Sequence, residues 1–135
     1  MNIVLDTNVI VSGFLNPSGV PGQLLYRVTE EELGLLVDPR ILQEYRMVLY
    51  RIKFYFSRPE VEKFLLFAEE RGIWVTGSPL HHALPDPDDV PFLEIAIGGK
   101  ADALVTGNLR DFPPSLRQGA HVLSPADFLK TLSEK

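Results

Sequence analysis

Short, largely apolar runs alternate along this chain with stretches whose apolar residues recur at helical spacing, and that alternation leaves few folds open. The runs are Ile3-Val4-Leu5, Leu33 to Val37, Ile73-Trp74-Val75, Ala103-Leu104-Val105-Thr106 and His121-Val122-Leu123. Strands buried on both faces read this way, because helices cover each side of a parallel sheet. Between them, Leu24, Leu25 and Val28 mark a short helix, and Ile41, Leu42, Tyr45, Val48, Leu49 and Ile52 fall on one face of a second. Val61, Phe64, Leu65 and Ala68 line a third, Phe92, Leu93, Ala96 and Ile97 a fourth, and Phe128, Leu129 and Leu132 a last one. The pattern predicts a three-layer α/β/α, Rossmann-like architecture with a mostly parallel five-stranded sheet.

Punctuation between the elements is equally legible. Asn16 to Gly22 reads as a turn-rich interruption, and Asp38-Pro39 as cap and first position of the second helix. Pro59 opens the third helix and Gly72 ends it, while Asp88-Asp89 caps the fourth, which closes at Gly98-Gly99. Ser124 caps the last. Gly77 to Pro87 carries neither period, and a long loop in a small domain is usually functional or mobile.

At 135 residues the chain is read as a single domain, 1–135, able to bury roughly two-thirds of its unfolded surface. No apolar stretch approaches the roughly 20 residues that span a bilayer, and Asp6 and Asn8 interrupt the first one, unlike a signal peptide. With no cysteine there is no disulfide, thiolate metal site or cysteine nucleophile, and a cytoplasmic location without membrane attachment is the expectation. The formal net charge of −5 argues against a protein whose whole surface serves to hold nucleic acid. It leaves room for an enzyme whose acids are gathered to bind divalent cations.

The acids fall where ligands bind in such folds. Asp6 ends the first strand, at the carboxyl edge where open α/β sheets place their ligands. It is equally placed to cap the next helix. Glu44 lies one turn inside the second helix, at the edge of its buried stripe; an exposed ion pair with Arg40, four residues back, is the alternative. Asp89 starts the helix before the fourth strand, where capping is its other role. Asn108 and Asp111 follow the fourth strand, and Asp111 also reads as an ordinary loop acid. Four or five oxygen-bearing side chains aimed at one crevice, without cysteine or a well-placed histidine, describe a hard-cation site suited to Mg²⁺ or Mn²⁺. Such sites commonly serve in-line displacement at phosphorus.

In order along the chain stand Val4-Leu5-Asp6-Thr7-Asn8-Val9, Ile41-Leu42-Gln43-Glu44-Tyr45, Asp86-Pro87-Asp88-Asp89-Val90-Pro91-Phe92-Leu93 and Ala103-Leu104-Val105-Thr106-Gly107-Asn108-Leu109-Arg110-Asp111-Phe112. This ordered set resembles the PIN-domain family, of the kind found as ribonuclease toxins in prokaryotic toxin–antitoxin pairs. The resemblance implies a PIN-like fold and Mg²⁺- or Mn²⁺-dependent endonuclease action on single-stranded RNA, with one or two ions. It implies Asp6, Glu44 and Asp89 as catalytic acids and metal ligands, with Asn108 and Asp111 as further ligands. Thr7, Asn8 and Thr106 would support them, and a homodimer or higher oligomer held by a protein antitoxin is implied as well. Asn108 stands where many members carry Asp, and an amide brings no charge to a second ion.

From Tyr45 to Pro59 every charge is positive: Arg46, Arg51, Lys53 and Arg58, interleaved with Tyr45, Tyr50, Phe54, Tyr55 and Phe56. Cations and rings in this arrangement suit sequence-tolerant single-strand binding. Core or interface packing of the rings is the alternative. His81, His82 and His121 lack a zinc-type ligand set and are read as non-catalytic. A haloacid-dehalogenase-type phosphatase would need an acid at Asn8, and a response-regulator receiver an acidic pair after the first strand. The stronger rival is a catalytically weak or inactive PIN-like module that binds RNA or protein without cutting.

Overall fold

A computed structural model of the chain describes residues 1–133 and their side chains, apart from that of Ile52, so its expected burial lies outside the described residues. The strands are β1 (Asn2–Leu5), β2 (Gly34–Val37), β3 (Ile73–Trp74), β4 (Ala103–Val105) and β5 (Val122–Leu123). Helices are α1 (Thr7–Leu15), α2 (Val20–Thr29), α3 (Pro39–Leu49), α4 (Arg58–Arg71), α5 (Val90–Gly98) and α6 (Pro125–Ser133). The strands form one sheet in the order β3-β2-β1-β4-β5, with all four pairings parallel. This is the three-layer α/β/α fold that the alternating pattern requires.

The register explains the apolar runs. Ile3, Val4 and Leu5 of β1 pair with Ala103, Leu104 and Val105 of β4, and all six are buried. Leu35, Leu36 and Val37 of β2 are buried likewise. Helix-facing residues Ile10, Leu24, Ile41, Phe64, Phe92 and Phe128 close the core from outside the sheet. Each such side chain contributes about 1.5–3 kcal/mol on leaving water, which is what holds strands this short together.

Strand ends shift by a residue, with Val75, Thr106 and His121 outside their strands, and larger differences from the sequence reading fall elsewhere. The interruption after α1 is shorter than Asn16 to Gly22, because Val20, Pro21 and Gly22 form the first turn of α2 with Pro at its permitted position. Gly22 is there for space: a Cβ would stand 2.1 Å from the Pro17 carbonyl oxygen. Helix α3 stops at Leu49, and Ile52–Phe54 is a separate 3₁₀ turn. Strand β3 is an exposed edge rather than a buried strand, with Ile73 and Trp74 open to solvent. Proline and glycine were read there as breakers, and apolar residues as core, where tertiary context decided otherwise.

The turn at strand order β2-β1-β4 positions the crevice. Chain connections leave β1 toward β2 on one side, and β4 and β5 lie on the other, so the carboxyl edges of β1 and β4 open onto a topological switch point. Helix α3 starts at the carboxyl edge of β2 and runs back along the sheet, passing Tyr45 under that crevice. The Tyr45 hydroxyl, fully buried, donates to the Leu5 carbonyl at 2.6 Å, tying α3 to the last residue of β1. Tyr45→Phe leaves that buried carbonyl unpartnered and should cost about 1–3 kcal/mol, read as a lower urea midpoint at unchanged slope.

Candidate metal centre

Asp6 occupies the first position beyond β1, where its own N–H donates to the Val105 carbonyl at 2.9 Å and so extends the β1–β4 pairing by one residue. Its side chain is divided between two tasks. Oδ1 accepts the Thr7 N–H at 2.8 Å, so Asp6 does cap α1. Oδ2 accepts the Thr106 hydroxyl at 2.8 Å and the Asn8 amide at 3.3 Å. Cap and crevice acid are therefore the same residue, 5% exposed.

Glu44 reaches the crevice from the second turn of α3, where the Thr7 hydroxyl donates to its carboxylate. Its alternative partner is engaged elsewhere: Arg40 pairs with Asp38 at 2.9 Å and with Glu94 at 2.7 Å. Thr7 thus supports Asp6 through its backbone and Glu44 through its side chain. Asp38 provides a contrast, since it also ends a strand but its Oδ1 accepts the Ile41 N–H at 2.9 Å and Arg40 neutralises it. It is a cap and nothing more.

Asp89 departs from the capping role expected of it. Asp86 caps the short turn Pro87–Asp89 by accepting the Asp88 N–H, and Asp89 stands at the start of α5 with no side-chain cap bond. Asp89 is 8% exposed, and its Oδ2 is buried with no hydrogen-bond partner among the described residues. Burial pushes this carboxyl up to about 8, reinforced by the charges of Asp6, Asp111 and Asp86. Asp111 stands against it, and two carboxylates share a hydrogen bond only when one carries a proton.

Burial raises Asp6 too, with Thr106 and Thr7 opposing the shift and Asp111 and Asp86 adding to it. Glu44 is raised by burial and by the charges of Asp6, Asp88 and Asp86, against its bond from Thr7. Asp86 and Asp88 are exposed and were not singled out from the sequence as site residues, although the Asp-Pro-Asp-Asp run holds them at the mouth of the crevice. That run, with Pro fixing a turn just ahead of a helix, was the available signal. Asn108 is exposed, and its Nδ2 donates to Asp111 Oδ2 at 2.9 Å.

Among the described residues, no three acidic or histidine side chains are gathered into a ready-made coordination set. The acids are nevertheless near enough to raise one another, and one oxygen is buried with nothing to meet it. Mg²⁺ takes one or two carboxylates directly and retains water for its other positions, so an all-oxygen set of this spread fits such an ion. Asp6 and Asp89 would hold it, with Glu44 and Asp111 reaching it directly or through water.

The basic stretch is built differently. Arg46 pairs with Glu62 at 2.8 Å, and the Tyr50 hydroxyl donates to the same carboxylate. Lys53 lies 5.2 Å over the Phe54 ring and Arg58 5.8 Å over that of Tyr50. Tyr45 belongs to the core, and under the segment Phe54 stacks on Phe56, against which Phe14 packs at a tilt of 55°. Only Tyr55, 85% exposed, offers an open ring. Because α3 runs away from the crevice, its last residue, Leu49, lies roughly 7.5 Å further along its axis than Glu44, and Arg51 follows beyond the helix end.

An all-parallel α/β sheet with a crowded set of carboxylates at its switch point defines a class of acidic-crevice α/β domains. The PIN-domain family profile matches residues 2–110, and the chain belongs to the PIN-domain family. It is 27% identical over 111 residues to the uncharacterized protein MJ1680 of Methanocaldococcus jannaschii, an alignment covering 80% of this chain and 71% of that protein. Its fold is similar to a chain in the crystal structure of VapBC2 from Rickettsia felis bound to a DNA fragment from their promoter. There the TM-score is 0.58 at 16% identity, with 92% of this chain and 98% of that chain covered.

The raised carboxyls carry a sign. Folded Asp89 keeps its proton from its ordinary value of 3.8 up to about 8, where the unfolded chain has lost it. The folded state then binds more protons, so stability falls as pH rises across that window. In chelator, Asp89→Asn should raise the melting temperature, with a gain that is small near the lower end and grows to several degrees at the upper end. A pH-independent gain in thermal scans would show that Asp89 is not held as a proton-retaining acid.

Proposed function

We propose that the chain is a divalent-metal-dependent endoribonuclease that hydrolyses phosphodiester bonds of single-stranded RNA, acting as the toxin of a toxin–antitoxin pair. The observation that carries the reading is the unpartnered, buried Asp89 Oδ2 beside Asp6, in a protein of the PIN-domain family. A buried carboxylate oxygen costs free energy unless a cation or donor meets it, and among the described residues no donor does. The alternative, a PIN-like module that binds RNA or protein without cutting, would leave that arrangement without a purpose.

When bound, Mg²⁺ or Mn²⁺ would supply charge neutralisation at the scissile phosphate and a water of lowered pKa. The protein's own groups do the rest. Asp6, fixed by Thr106, Asn8 and the Thr7 N–H, presents an oriented carboxylate. Glu44, held by the Thr7 hydroxyl and raised by its acidic neighbours, is suited to take a proton from an attacking water. Burial and the charges of Asp6, Asp111 and Asp86 keep the proton on Asp89; with a cation in the crevice that proton would be displaced and the repulsion of a phosphate offset. Asp111, which accepts a hydrogen bond from the Asn108 amide, completes the set on the β4 side.

Arg51 and Lys53, with Tyr55 beside them, are the proposed contacts to the RNA backbone and bases leading away from the site, while Arg46 and Arg58 are proposed to steady that segment. For the antitoxin, an apolar groove of about 710 Å³ lined by Phe14, Leu25, Tyr26, Phe64 and Phe67 is the proposed seat. Assembly as a homodimer and a cytoplasmic location belong to the same reading. Among the described residues no helix is long and apolar enough to cross a membrane.

A labelled single-stranded RNA incubated with Mn²⁺ tests the enzyme directly. Cleavage should vanish in EDTA and fall on the order of 10²-fold or more in Asp6→Asn and in Glu44→Gln. Equal cleavage by wild type and Asp6→Asn would mark a contaminant, and none by either would favour the binding module. Arg51→Ala with Lys53→Ala should weaken RNA binding and flatten its log–log salt dependence by roughly 1.4, at about 0.7 per cation for single strands. An unchanged slope would remove this segment from the interface.

A further inference from the structure

We infer that Asn108 acts on the metal centre through Asp111, as a positioning residue and not as a ligand in its own right. The inference rests on the metal-site reading above and concerns the loop after β4. Thr106, 0% exposed, donates its hydroxyl to Asp6 Oδ2 and accepts the Asn108 N–H on the same oxygen at 3.0 Å. The Asn8 side chain forms a second tether, donating to Asp6 Oδ2 and accepting the Gly107 N–H at 2.9 Å. Gly107 permits the approach, since a Cβ there would press to 3.3 Å against Asn8 Oδ1. The Asn108 backbone is therefore fixed to Asp6 by a two-bond path.

The side chain of Asn108 extends that path outward. Its Nδ2 donates to Asp111 Oδ2 at 2.9 Å. Amide orientation is decided here by chemistry, because the neighbour is a carboxylate that can only accept, so the nitrogen must face it. The charge of Asp111, like that of Asp86, raises both Asp6 and Asp89, and Asp111 is the one of the two that follows β4. An amide at position 108 can hold it in place, whereas a carboxylate there would repel it. The uncharged residue at a position where an acid is expected thus becomes a requirement of Asp111. Sequence 106–111 reads as a continuous hydrogen-bonded arm, from Asp6 through Thr106 and Asn108 to Asp111.

A double-mutant cycle on Mn²⁺ affinity separates the two roles, with free Mn²⁺ followed by electron paramagnetic resonance and folding checked by thermal unfolding. Asn108→Ala should weaken Mn²⁺ binding about tenfold, as loss of groups that orient ligands typically does. In an Asp111→Ala background the same substitution should change affinity less than twofold. Independent, multiplicative losses would make Asn108 a ligand and overturn the inference while leaving the metal site standing. Wild-type protein that binds no Mn²⁺ would remove the metal-site reading itself, and this inference with it.

Discussion

The structure depends on the pairing of β1 with β4. These strands are about a hundred residues apart in sequence and yet lie side by side in register, Leu5 beside Val105, with Asp6 continuing the ladder into Val105. Six apolar residues buried by that pairing keep it dry, and a dry ladder that ends in a carboxylate has to satisfy the carboxylate locally. Thr7, Asn8 and Thr106 do so, each from a chain position fixed by one of the two strands. Around this single junction the other acids are set by helices: Glu44 by α3, pinned through the Tyr45 hydroxyl to Leu5, and Asp89 by the turn that Asp86 caps at the head of α5.

Electrostatics then divides the acids of the chain into two kinds. Asp38 and Glu94 share Arg40, and Glu62 has Arg46 and Tyr50. These acids are neutralised by partners and serve the scaffold. Asp6, Glu44 and Asp89 have hydroxyls, amides or nothing, and each is raised by burial and by its acidic neighbours. No arginine or lysine forms an ion pair with them among the described residues. A crevice so arranged holds its carboxyls together only at the cost of raised proton affinity, which is the physical ground of the proposal that a cation belongs there.

Much of this was legible beforehand, for identifiable reasons. Burial on both faces makes parallel strands uniformly apolar, so β1, β2 and β4 were visible as runs, and the 3.6-residue period exposed α3 and α4. Glu44 was placed correctly at the margin of the α3 stripe because helical geometry alone sets that angle. Less legible were the features decided by contact. The start of α2 within a Pro-Gly segment depends on the close approach of Pro17, the exposure of β3 on its being a sheet edge, and the partial burial of Phe56 on its packing between Phe54 and Phe14. The aromatic and basic stretch from Tyr45 to Pro59 looked like one surface in sequence, and folding divides it into packed rings, an ion-paired Arg46 and the exposed Tyr55.

The sequence by itself determined the layer architecture, the order of elements and the candidacy of Asp6, Glu44, Asp89 and the Asn108–Asp111 loop, because periodicity and strand-end position are local properties of the chain. Only the tertiary structure decided what those residues do for one another. It made Asp6 a helix cap and a crevice acid at once, directed the Thr7 hydroxyl to Glu44, left Asp89 without a capping role, and turned Asn108 toward Asp111. Those outcomes rest on strand order. Placing β1 between β2 and β4 brings distant loops to one edge, and no local pattern encodes which carboxylates then share a desolvated space.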